Sequence, residues 1–88
     1  MKGGRGRVYR PALQFMTVRD IIRKYPRGTE IDVWVHDWGG PSYLGRFTVE
    51  TRTLRHVESG LTWGELAEDV ARDNHGMRLV IAAVKKVS

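Results

Sequence analysis

The chain has 88 residues, 41% of them apolar, no cysteine and a formal net charge of +5. That is room for one modest core, and it excludes disulfides, thiolate metal sites and a cysteine nucleophile. No stretch approaches the roughly 18 apolar residues of a membrane span and no apolar run follows the charged start as in a secretory leader, so a cytoplasmic protein with no membrane partner is expected.

Lys2, Arg5, Arg7 and Arg10 stand among Gly3, Gly4 and Gly6 with no acid between them. These ten residues hold four of the five net charges, so the rest of the chain is nearly neutral. Residues 1–15 read as a flexible basic arm with an extended transition, and 16–88 as a single compact domain. Pro11 lacks an N–H and biases Arg10 away from helix, so Val8–Gln14 is at best an edge strand. Met16 also offers an alternative translation start. Arginine outnumbers lysine eleven to four, and Gln14 and Asn74 are the only side-chain amides. Thermophilic proteins and GC-rich coding sequences share that balance.

Thr17 and Asp20 form a capping box, stapled by Met16 and Ile21. Val18, Ile21, Ile22 and Tyr25 then keep the spacing of one buried helical stripe, which Pro26 and Gly28 end. Residues 30–37 alternate, with Ile31, Val33 and Val35 on one face and Asp32, Trp34 and His36 on the other, a half-buried strand. Gly39–Ser42 reads as a turn and Tyr43–Glu50 as the returning strand, with Phe47 and Val49 inward and Arg46, Thr48 and Glu50 outward. Arg52–Glu58 is a weaker third strand, with Leu54 or Val57 inward depending on register.

A second capping box, Thr62 with Glu65, is stapled by Leu61 and Leu66 and opens a helix with Trp63, Leu66, Ala67, Val70 and Ala71 on its inner stripe. His75-Gly76 closes it. Leu79–Val84 is an apolar run suited to a strand buried on both faces in mid-sheet beside Ile31–Val35. The order α-β-β-(β)-α-β, with two amphipathic helices and a mainly antiparallel sheet, predicts a two-layer α+β sandwich. Its α-β-β-β-α portion resembles, in element order, the double-stranded RNA-binding domain, which would imply RNA contacts from both helices. Where such domains carry lysines at the start of the second helix, this chain reads Thr62-Trp63-Gly64-Glu65, and the final strand is extra.

Catalysis finds little support. His36 and Asp37 are adjacent on a strand and face opposite ways, and His56 and His75 lack partners at triad or ligand spacing. Glu65, Asp69 and Asp73 share a helix face, but helical carboxylates without loop carbonyls make a poor cation cage. No enzyme, cofactor or metal is expected. The leading expectation is a binding protein for DNA or RNA. Lys2, Arg5, Arg7 and Arg10 would meet phosphates, assisted by Arg19, Arg23 and Arg46, while Trp34, His36, Trp38 and Tyr43 form an aromatic face. The alternative is a protein-binding module or homodimer, of the kind phages and other mobile elements encode, using that same face.

Overall fold

Both capping boxes close in the computed structural model, which describes residues 16–73 and 75–87. The arm, with Lys2, Arg5, Arg7 and Arg10, and the Val8–Gln14 segment lie outside the described residues. Asp20 N–H donates to Thr17 Oγ1 (3.2 Å) and Thr17 N–H to Asp20 Oδ2 (3.0 Å), which satisfies two of the first-turn donors of α1 (Val18–Lys24). The residue before a proline is driven out of the helical region. Tyr25 accordingly turns extended and stops the helix. Ile21 is fully buried, with Val18, Ile22 and Tyr25 packed around it.

Four strands follow, broken by a second helix: β1 (Glu30–Asp37), β2 (Gly40–Val49), β3 (Leu54–His56), α2 (Trp63–Asp73) and β4 (Ile81–Lys86). The sheet is antiparallel in the order β3-β2-β1-β4. Ile31, Val33, Val35, Phe47, Val49, Leu54 and Ile81 form its buried face together with Ile21 of α1. Trp63 of α2 meets Phe47 on that same face, ring centroids 5.4 Å apart. Both helices therefore cover one side of the sheet, giving the expected two-layer α+β sandwich.

Several details depart from the sequence reading or settle what it left open. The hairpin loop is tighter, only Trp38-Gly39, because Gly40 takes φ +113 and starts β2 at once. Pro41 is tolerated within β2 since β3 pairs only with Phe47–Val49, leaving this end an edge. In β3, Leu54 is the inward residue while Val57 lies beyond the strand, half exposed. On α2, only Trp63 and Leu66 reach the core. Ala67, Val70 and Ala71 stay half-buried, because three-residue β3 offers little sheet beneath them.

The last strand lies beside β1 as expected but at the margin of the described sheet, so the middle places go to β1 and β2. Its apolar run is shared between two roles. Leu79 packs on the core before the strand begins, Val80 O accepts from His36 N–H (2.9 Å), and Ala83 is exposed on the other face.

Candidate functional site

The face opposite the helices carries successive cross-strand rows, read from β2 to β1 to β4 in register. Arg46, Asp32 and Lys85 make one row; Tyr43, Trp34 and Ala83 make the next. Tyr43 and Arg46 are three residues apart, so strict alternation would put them on opposite faces. A β-bulge between them changes the parity. Leu44 packs toward the core and Gly45, at φ +148, is buried opposite Val33. A matching bulge on β4 leaves Ala82 without a β1 partner, so Ile81 and Val84 both face inward. Gly45 is the site residue that sequence reasoning missed; an isolated glycine inside a strand pattern was its available signal.

With parity reset, two side chains converge on Asp32. Tyr43 Oη donates to Asp32 Oδ1 (2.8 Å), Arg46 Nε to the same oxygen (3.1 Å), and Arg46 Nη2 to Oδ2 (3.4 Å). The Arg46 hydrogen bonds, then that of Tyr43, hold the Asp32 carboxyl below its ordinary range, and Lys85 across the strand adds to this. The same bond to Asp32 raises the Tyr43 phenol. Arg46 is thus committed to Asp32 rather than free for phosphate. Above this network the Trp34 and Tyr43 rings meet at 5.3 Å, tilted by 58°. Trp34 is half-buried, and Tyr43 is 56% exposed.

Trp38 stands apart at the hairpin tip, 99% exposed. Asp37 braces the turn beneath it by accepting from Gly39 N–H (2.9 Å). Its carboxyl is held below the ordinary range by Ser42 first and then by that N–H. His36 is exposed at the same end, paired with Pro41. Arg19 and Arg23 are not brought to this face: α1 lies on the helical layer, with the sheet between them and Trp34.

His56, read as partnerless, has found partners on the buried face. Its Nδ1 lies 2.7 Å from Ser59 Oγ, its ring 5.1 Å from that of Phe47, and its Nε2 over Gly45. Leu61 N–H donates to the same Ser59 oxygen (3.2 Å), so the pair organises the turn into α2. The acids of α2 are partly spoken for. The Thr62 backbone N–H holds the Glu65 carboxyl below its ordinary range, and Asp69 pairs with Arg72 at 3.3 Å. Among the described residues no group of three His, Cys, Asp or Glu is placed to hold a metal ion, and no helix is long and apolar enough to cross a membrane.

No family model matches the chain, and neither a curated protein nor a solved structure matches it. The geometry therefore defines the class only as a small α+β sandwich with helices on one face of its sheet and paired aromatics on the other.

Proposed function

We propose that this protein is a non-enzymatic binding domain for single-stranded nucleic acid. Unpaired bases stack on Trp34 and Tyr43, and the basic arm with Lys85 neutralises the phosphates. The observation that carries this is the direct cross-strand pairing of two aromatics on the central strands of the helix-free face. Every base has a π-face, so such a platform binds with little sequence preference. The point where the arm joins the body supports the reading. Met16 bridges Ile81 at the start of β4, close to the Tyr43, Trp34 and Ala83 row, and Arg10 is six residues upstream, within about 20 Å of extended chain.

The test is a salt-titrated binding series with the full chain against single-stranded and duplex DNA and RNA, followed by tryptophan fluorescence. Single strands should bind, with quenching reduced in Trp34→Ala and a log–log salt slope of about 0.7 per phosphate contact. No binding tighter than about 10 µM at low salt, where even non-specific contacts are favoured, would end this reading.

One observation favours a second reading, a protein partner. Trp38 is fully exposed on a braced turn, and tryptophan is the residue type most enriched at interface anchors. A solution dimer dissociated by Trp38→Ala, in a protein that ignores oligonucleotides, would favour that reading.

A further inference from the structure

At the end of the sheet where β1 begins and β2 ends, α1 and the β2–β3 connection enclose a groove. Val18 and Ile22 line it together with Arg19, Arg23, Thr51 and Arg52. Thr51 and Arg52 also line an adjoining depression that reaches Arg27, Gly28 and Glu50. Gly28 N–H donates to Val49 O (2.8 Å), which ties the Arg27 turn to this corner. Among the described residues, none of Arg19, Arg23, Arg27 and Arg52 takes part in an ion pair.

Two carboxylates lie nearby, Asp20 acting on Arg19 and Arg23 and Glu50 on Arg27 at a distance, though each has a nearer partner. Asp20 caps α1 through Thr17, and Glu50 pairs with Arg55 at 2.7 Å. Four guanidinium groups against these two carboxylates leave a local positive excess that favours an anion, and their forked donors match phosphate oxygens.

We propose that Arg19, Arg23, Arg27 and Arg52 form a second phosphate-binding patch, which takes the backbone of the same nucleic-acid strand as it leaves the aromatic face. The inference rests on the single-strand reading above. The path is continuous in register. From the Trp34 and Tyr43 row it runs along β2 past the row of Arg46, Asp32 and Lys85, then over Thr48 between Glu30 and Arg55, and turns the end of β2 onto Arg52. From Tyr43 to Val49 β2 covers roughly 20 Å, so a strand must exceed a few nucleotides before it reaches the patch. Arg19, Arg23 and Arg27 already form a cationic edge in the sequence, at spacings of four; Arg52 joins them only through the fold.

Oligonucleotide length provides the test. The full chain and an Arg19→Gln/Arg23→Gln/Arg52→Gln variant are titrated with salt on oligothymidylates of about four and about twelve nucleotides, spanning the usual site sizes. The variant should lower the salt slope for the long oligomer by about 2 and leave the short one unchanged, at about 0.7 per lost contact. An unchanged slope for the long oligomer, or equal loss for both, overturns the patch while leaving the aromatic platform standing. If neither oligomer binds the unaltered protein, the platform reading fails, and the patch is judged by inorganic pyrophosphate followed by NMR. Saturating shifts at Thr51 and Arg52, abolished in the variant, sustain it as an anion site; their absence overturns it.

Discussion

Gly45→Ala is the substitution that probes the site's architecture most directly. A Cβ built there would lie 2.5 Å from His56 Nε2 and 2.9 Å from Cδ2. Gly45 also sits at φ +148, a region costing a non-glycine residue about 1–3 kcal/mol. The ring is a side-chain end, but it is pinned by Ser59 on one edge and Phe47 on one face. Moving it forfeits an aromatic contact worth about 0.5–1.5 kcal/mol and a hydrogen bond worth about 1 kcal/mol net. The total is about 3–5 kcal/mol, against roughly 4–13 kcal/mol for a whole domain of 88 residues. Urea unfolding of Gly45→Ala, His56→Ala and the double variant measures it. Once the ring is gone the added methyl meets only the backbone cost, so the double variant should be more stable than the sum of the single changes predicts, by about 1–2 kcal/mol. Strict additivity would show that the ring does not limit the position, and a neutral Gly45→Ala would refute the bulge argument outright.

Three further outcomes are expected. Asp32→Asn removes the only carboxylate between Arg46 and Lys85 and should steepen the salt slope for single strands by about 0.7, as Arg46 becomes free for one phosphate; an unaltered slope would mean that no strand passes this row. Thr17→Ala and Thr62→Ala each remove a side-chain acceptor of a helical N–H and should cost about 1 kcal/mol in urea unfolding, with a loss under about 0.3 kcal/mol contradicting the capping assignment. Asp20, Asp32, Asp37, Glu50 and Glu65 are all held below their ordinary carboxyl range by hydrogen bonds and arginines. Their contribution is therefore complete above the unfolded-state values near 4 and is lost as pH falls through the depressed folded values; thermal unfolding followed from neutral to pH of about 2 should show the midpoint falling across that acid range, and a flat profile would contradict it.

The local signals that could be read from sequence were those whose partners lie within a few residues. Thr17 with Asp20 and Thr62 with Glu65 each complete their bonds inside one turn, so spacing alone located both helix starts. The alternation of Ile31, Val33 and Val35 needed no knowledge of what lay above them. What escaped depended on pairing between distant segments. Gly45 within the strand pattern hints at a bulge, but only the register against β1 places it, and without it Tyr43 and Arg46 cannot meet at Asp32. Arg52 was hidden for the same reason, since only the fold carries the β2–β3 connection beside α1. The apolarity of Leu79–Val84 misled because a run divided between core packing before the strand and alternation within it reads the same as a doubly buried strand.

Charge is distributed by layer in a way that constrains any polyanion. The helical layer holds Glu65, Glu68, Asp69 and Asp73 on α2, a surface that repels phosphate. The opposite face places Lys85 one row from the paired aromatics, with Asp32 absorbing Arg46 and Glu50 absorbing Arg55. A strand that uses the aromatic pair would have the sheet between itself and the four acids of α2. The arginines of α1 would matter only where that shielding ends, at the corner shared by Arg27 and Arg52. On the proposed single-strand reading, a strand seated on Trp34 and Tyr43 reaches the arginines of α1 only by way of the corner that Arg52 shares with both depressions.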